Sequence, residues 1–427
     1  MSERVVVTGM GAICASGDRP ETIWAEIVGR RSSLGPIRQW ETAGLEVPYA
    51  GEVAGFDPAS LVAERKAHKL LRRGDFLGLY AAGASLRGSC LLEHRAGLAR
   101  ERAAELDERT GVFVASGGVG YQHQHDFLPL LTAAGGDLQR FGRELDGEVS
   151  PLWLLQSLPN NVLCHLGIQT GFRGPNACIT AHGASGGLAA AEGLAAIRSG
   201  EAERAVVVGH DAPIEPQAIR ELDDLGLLGR DVLRPFDAWR GGTLLGEGAA
   251  ALVLESEAIA RERGAAVLGE LLGSGCAAEA EGLLAVRDDG DGPARAISAA
   301  LADAELGRDE IGMIVAHGSG TRQGDLSEAL ALRSVFGDAV PPVTAFKWAF
   351  GHTLAAAGAL DLVLAILALH AGCAPGIATL RELDADCAGL PASPDTRPAC
   401  GDCALVLARG FAGLNVALVV QAPGPGF

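Results

Sequence analysis

The chain has 427 residues, 48% of them hydrophobic, 21% charged and 5% aromatic, with 59 glycines and a formal net charge of −18. That apolar content excludes a disordered or fibrous chain, and the length sustains a large core, as one compound domain or two to three ordinary ones. The acidic balance excludes nucleic-acid binding unless a basic stripe opposes it; the richest basic run, Arg65 to Arg73, reads as a solvated helix face or a docking patch for an acidic partner.

Arg4-Val5-Val6-Val7-Thr8 predicts a buried strand, closed by Gly9-Met10-Gly11. No charged or apolar leader pattern precedes it, so no signal peptide is expected. The dinucleotide fingerprint G-x-G-x-x-G fails here because Cys14 takes the third glycine's place. Helical patterns follow over 21–29 and 59–94, the second broken at Gly74. Gly111 to Ala115 predicts a strand, 119–150 an irregular stretch, 151–167 a helix, 184–199 a helix, and Ala205 to Gly209 a strand.

A second series begins near 255. Strands at 265–273, 311–316 and 342–345 alternate with helices at 293–304, 324–335 and 355–371, and strands at 403–408 and 415–421 close the chain. Strands alternating with helices predict an α/β protein with buried sheets. The two series are of comparable size, which suggests an internal duplication into halves at 1–255 and 256–427. The most apolar stretch, Ala355 to Ala371, contains Asp361 and His370 and is too short for a membrane span. Nine cysteines, an odd number without framework spacing, read as reduced, and Cys400-Gly-Asp-Cys403 is a lone C-x-x-C with no second pair or histidine to make a metal site. The expectation is a soluble cytoplasmic protein.

Chemistry concentrates in four segments. Gly183-Ala184-Ser185-Gly186-Gly187 satisfies G-x-S-x-G, the elbow that presents a hydrolase serine. The second segment runs from Arg234-Pro235-Phe236-Asp237 through Gly241-Gly242-Thr243 to Gly246-Glu247-Gly248. The third is Ala316-His317-Gly318-Ser319-Gly320-Thr321 with Asp325 and Glu328 after it, and the fourth is Lys347-Trp348-Ala349-Phe350-Gly351-His352.

In that order and spacing, from VVVTGMG to the closing Gly410-Phe411-Ala412-Gly413, the chain resembles the β-ketoacyl-ACP synthases of fatty-acid and polyketide assembly. The resemblance implies the thiolase fold, two βαβαβαββ halves stacked as a five-layer αβαβα sandwich, working as a dimer. It places the family's nucleophilic cysteine on Gly183 and the preceding alanine on His182, and it aligns Ser185 with a serine that the family does not use as its nucleophile. The hydrolase motif is then accidental. Cys178, five residues upstream, is no replacement and reads as a small buried hydrophobe.

By the same resemblance His317 and His352 match the histidines that decarboxylate a malonyl unit, Lys347 the lysine that orients the site, and Phe411 the gating phenylalanine. Ser319 and Thr321 stand where the family holds the carrier's 4'-phosphopantetheine arm; no other cofactor and no metal is implied. Gly241-Gly242-Thr243 replaces D-G-F. A condensing enzyme needs a thiolate to take the acyl chain, so the resemblance implies a cysteine-less, non-condensing paralogue. Two roles fit. One is a chain-length factor, closing the acyl tunnel of a partner ketosynthase in a heterodimer that receives an acyl carrier protein. The other is a malonyl-ACP decarboxylase. For the first, the tunnel and interface residues are Tyr121, beside Gly120, with Phe127, Leu131 and Trp153, the last extending toward the partner's acyl pocket.

Overall fold

The computed structural model describes residues 3–118 and 124–423. Ten principal strands carry the fold: β1 (Val5–Cys14), β2 (Thr110–Ser116), β3 (Asn176–Ile179), β4 (Arg204–Asp211), β5 (Gly248–Ser256), β6 (Gly269–Ala278), β7 (Ile311–Val315), β8 (Val343–Thr344), β9 (Cys403–Gly410) and β10 (Leu414–Gln421). The first five line up in the order β3-β2-β4-β5-β1 and the second five as β8-β7-β9-β10-β6, the same permutation. The directions repeat as well. β3, β2 and β4 are mutually parallel, with β5 and β1 added antiparallel, and β8, β7, β9, β10 and β6 do the same. The two sheets touch where Val6 and Val7 of β1 pair with Glu270 and Gly269 of β6.

Six helices complete the repeat: α1 (Arg73–Gly88), α2 (Asn161–Thr170) and α3 (Ser185–Arg198) in the first series, α4 (Asp291–Asp303), α5 (Arg322–Phe336) and α6 (Ala357–His370) in the second. Helix α3 lies on β2 and β4, α6 on β9 and β5, and the two pack on each other, so they form the middle layer between the sheets. Helix α1 covers the outer face of β1, β4 and β5, and α4 that of β6 and β10. This is the five-layer α/β sandwich of the thiolase fold. At the crossing, a Cβ on Gly186 would meet the Ala359 backbone, and one on Gly358 would meet that of Gly187; only glycine lets the helices approach this far.

Strands buried on both faces need apolar residues at every position. In β4, Ala205 and Val207 join the central core while Val206 and Val208 face the outer layer; in β5, Ala250, Leu252 and Leu254 alternate in the same way with Ala249, Ala251 and Val253.

The structure departs from the sequence reading in places. The stretch expected to be irregular, 119–150, holds helices Gln124–Ala133 and Leu138–Glu148. The pattern over 59–94 breaks into Pro58–Leu61, α1 and Leu91–Ala96, and β5 had no counterpart in the expected elements. The basic run divides: Arg65, Lys66 and Lys69 are exposed, whereas Arg73 binds the buried Glu247 at 2.6 Å and Arg72 is half-buried.

Candidate functional site

The strand β3 leads into a tight turn, a single 3₁₀ turn at His182–Ala184, and then α3. His182 takes φ +47°, a left-handed value uncommon for a residue with a side chain. Ser185 holds this turn together: its Oγ accepts the Ala181 N–H at 2.7 Å and donates to the His182 carbonyl at 2.8 Å. With its hydroxyl committed and the residue fully buried, Ser185 is a structural clamp. The Gly183 N–H precedes the first hydrogen bond of the turn, that of Ala184 N to Ala181 O, and has no acceptor among the described residues. Cys178 sits with Sγ 3.4 Å from the Pro159 carbonyl, and burial pushes its thiol up, away from reactivity.

Gly183 stands beside both histidines. A Cβ built on it lies 3.1 Å from Cε1 of His352 and 3.2 Å from Cε1 of His317. It also falls closer than 3.0 Å to the Arg409 carbonyl oxygen, a separation that real Cβ atoms do not show. The end of β9 therefore lies directly on the turn.

His317 follows β7. Its N–H and that of Gly318 donate to the two oxygens of Glu328 on α5, at 2.6 and 2.9 Å, and its Nδ1 accepts the Arg409 N–H at 3.3 Å. His352 is held by backbone bonds to Leu244 and Gly246, and its Nδ1 accepts the Leu354 N–H at 3.2 Å. The rings stand 5.0 Å apart at 75°. A ring whose Nδ1 accepts carries its proton on Nε2 when neutral. Both histidines are held well below the usual imidazole range, first by burial and then by the charge of Lys347. At neutral pH each is an uncharged imidazole with Nε2–H as its donor.

Lys347 binds Asp361 of α6 at 2.8 Å, both side chains fully buried. Phe411 packs edge-on against His182, ring centroids 4.9 Å apart. Ser319 and Thr321 hydrogen-bond one another at 2.9 Å. Asp325 accepts the Phe236 and Gly320 N–H groups, and burial raises it to about 7. The Arg409 side chain is fixed by Asn415, Glu279 and the Gly324 carbonyl.

A cavity of about 470 Å³ opens onto this centre. Gly183, His317, His352, Ser319, Thr321 and Phe411 all line it, while Lys347 lies behind the wall and acts through its charge. The residues that the sequence reading expected at an interface lie elsewhere: Phe127 and Trp153 meet edge to face at 5.0 Å, Leu131 is half-buried, and Gly120 and Tyr121 lie outside the described residues. Three members of the centre had no assigned part in the sequence reading: the Arg409 backbone, His182 as a wall residue, and Asp361 as the lysine's partner. Only His182 left a signal, as a departure from the family's alanine. Among the described residues no group of three or more His, Cys, Asp or Glu side chains is arranged to hold a metal, all nine cysteines are free, and no helix is long and apolar enough to cross a membrane.

Residues 2–260 match the model of the beta-ketoacyl synthase N-terminal domain, and residues 268–381 that of its C-terminal domain. Nodulation protein E of Rhizobium meliloti is 31% identical over 389 residues, 91% of each chain. The putative polyketide beta-ketoacyl synthase 2 of Streptomyces coelicolor is 34% identical over 432 aligned residues, covering 98% of this chain and 95% of that one. A solved structure described as the ishigamide ketosynthase/chain length factor superposes with a TM-score of 0.86 at 32% identity, covering 99% of this chain and 100% of that one. The chain belongs to the β-ketoacyl synthase family.

Proposed function

We infer that this protein is a cysteine-less, non-condensing subunit that acts as the chain-length factor of a type II polyketide synthase, of the kind that makes polyenes or aryl polyenes. The reading rests on Gly183. Transfer of an acyl chain from a carrier's pantetheine needs a thiolate, and the position beside the two histidines has neither a side chain nor room for a Cβ under the Arg409 carbonyl. The partner is a catalytic ketosynthase that supplies the cysteine and receives the acyl carrier protein.

Two surface features support such a partner. Strand β3 is the outermost strand of the sheet, with β2 as its neighbour on one side and, among the described residues, no strand on the other; such an edge invites a strand from another chain. The chain between β2 and β3 also exposes Leu128, Leu154, Leu155 and Ile168, large apolar side chains that a partner would cover. Phe127, Leu131 and Trp153, with Tyr121, are the residues we assign to closing the partner's tunnel.

A second reading, malonyl-ACP decarboxylase, is favoured by one observation: two neutral imidazoles whose Nε2–H groups have no partner among the described residues still line an open cavity. In that reading a malonyl thioester carbonyl accepts these hydrogen bonds, the Cα–carboxylate bond breaks, CO₂ leaves, and the electron pair remains as an enolate that takes a proton from solvent to give the acetyl thioester.

Co-expression with a catalytic ketosynthase of the same source, followed by mass analysis of the purified complex, separates the two. A one-to-one heterodimer with acyl chains only on the partner's cysteine is the expected result. A homodimer that converts malonyl-ACP to acetyl-ACP unaided overturns it in favour of the decarboxylase.

A further inference from the structure

A second, smaller pocket lies away from the centre, at the carboxyl ends of β2 and β4 and the start of α1. It holds about 50 Å³, room for one small polar group or a few waters. Arg72 and His210 both line it. Nε and Nη2 of Arg72 are sealed from solvent, and neither has a hydrogen-bond partner among the described residues. His210 is 3% exposed, its ring beside Gly74 and Gly78, and neither ring nitrogen has a partner there. Arg73 gives the contrast: one residue on, its guanidinium is taken up by Glu247 and the Val53 carbonyl. The acids around the pocket do not supply what Arg72 lacks. Asp75 accepts the Arg72 N–H and the Asn161 amide, and Asp211 accepts the Ala212 and Ala355 N–H groups. Asp75 and Glu215 act on the guanidinium through their charge alone.

Sealed donors without an acceptor destabilise a chain, so the pocket calls for an oxygen from outside. Its wall shows from where. Leu158 and Pro159 close one side; Leu158 is exposed, as are Leu154 and Leu155 just before it. The Pro159 carbonyl in turn meets Sγ of Cys178, on the edge strand β3, at 3.4 Å. The pocket is thus continuous with the face assigned above to the partner ketosynthase. Two carboxylates already face the guanidinium, so an uncharged acceptor suits it better than a third carboxylate would. We propose that this pocket is a socket in the subunit interface, where Arg72 and His210 donate to a carbonyl oxygen of the second subunit, from its main chain or from an Asn or Gln side chain. The proposal rests on the chain-length-factor reading and names one contact of its interface.

The test uses the full chain, alone and in complex with its catalytic ketosynthase, and the variant Arg72→Met, which keeps an apolar stem and no donor. Alone, the variant is expected to melt no lower than wild type, because it loses a sealed charge that had no partner. In the complex the sign reverses. The dissociation constant, read by mass photometry on dilution, is expected to rise about tenfold or more, since hydrogen bonds from a charged donor are lost. Arg72→Lys, with one ammonium in place of the guanidinium fork, is expected to fall between the two. A crystal structure of the wild-type complex is expected to place a partner carbonyl oxygen within about 3.2 Å of Nε or Nη2. The proposal is overturned if water or this chain's own residues alone fill the pocket in that complex. It is equally overturned if Arg72→Met leaves dissociation unmoved, or weakens the free chain and the complex alike. If no ketosynthase forms a complex, the chain-length-factor reading falls and takes the socket with it; a complex without the contact removes the socket alone.

Discussion

The molecule contains a 3₁₀ turn leading into a central helix twice, and the two copies differ in how the turn is held and in what lies over it. Strand β3 enters α3 through a 3₁₀ turn at His182–Ala184, and β8 leads to α6 through one at Leu354–Ala356. The first residue of each turn is left-handed, His182 at φ +47° and Leu354 at φ +41°. A backbone conformation that costs about 1–3 kcal/mol is thus a property of the repeated fold and no sign of catalysis by itself. What differs is how each turn is held and what lies over it. The first is tied by its own Ser185, the second by Asp211 of β4, whose Oδ2 accepts the Ala355 N–H at 3.2 Å. In the second elbow the residue after the left-handed one is Ala355, fully buried, its methyl accommodated; in the first it is Gly183, with the Arg409 carbonyl where a methyl would go. The lesson is that glycine at 183 is bound up with the backbone around it, which leaves no room for a Cβ there.

The largest expected effect concerns the helices that follow. The fifth residue of α6 is Asp361, paired with Lys347, and the fifth of α3 is Ala189. Replacing Lys347 by Met leaves a buried carboxylate without its counter-ion, a loss of about 3–5 kcal/mol. The double change Lys347→Met with Asp361→Leu should recover most of it. Chemical denaturation of the three proteins checks this, and a single variant no less stable than the double one would remove the buried pair from the comparison.

Next in size is the mirrored exchange at the turns. Gly183→Ala must displace the end of β9 and is expected to cost about 1–3 kcal/mol, the usual range for overpacking. Ala355→Gly should cost only about 0.5–1 kcal/mol. Gly183→Cys is expected to be destabilised as well, and intact mass after incubation with an acyl-loaded carrier should show no adduct on this chain. Tolerance of alanine at 183, or an acyl adduct on the introduced thiol, would show that the two elbows are closer in shape than the structure has them.

Much of this was readable in the chain. The apolar runs at Val5, Val112, Val206, Ile311 and Val416 marked strands buried on two faces, and the histidine and lysine motifs marked the centre. Strand β5 was hidden because Ala249-Ala250-Ala251 favours helix by propensity, and only the layers on both sides make those alanines strand residues. The helices Gln124–Ala133 and Leu138–Glu148 were masked by Pro129 and by Gly135-Gly136, which read as loop punctuation. In the centre, what could not be read were contacts between distant parts of the chain: the Arg409 carbonyl on Gly183, 226 residues earlier, and the use of Arg73 as the partner of Glu247. No local pattern encodes such meetings.

The smallest expected effect is a pH dependence that separates the two clamps. The Asp211 carboxyl is packed among protein atoms although the residue keeps some surface, and burial pushes it up to about 7 against the two N–H groups, of Ala212 and Ala355, that favour its ionised form. Glu215, the nearby carboxylate, pushes the same way. Unfolded, the group titrates near its ordinary value of 3.8. The folded chain therefore keeps a proton that the unfolded chain gives up, so this stabilisation is complete below the ordinary value, fades as pH rises toward 7, and is gone above it. Asp211→Asn retains an oxygen for the Ala355 N–H and does not titrate. Its melting temperature relative to wild type should climb by a few degrees between pH 5 and pH 7 and then level off; contributions from Asp325, His317 and His352 are common to both proteins and cancel. Ser185→Ala, at the other clamp, has nothing to titrate and should lower the melting temperature equally at every pH. Parallel curves for both variants would mean that the carboxylate clamp and the hydroxyl clamp are held in equivalent surroundings, and the asymmetry between the elbows would then reduce to Gly183 and what lies over it.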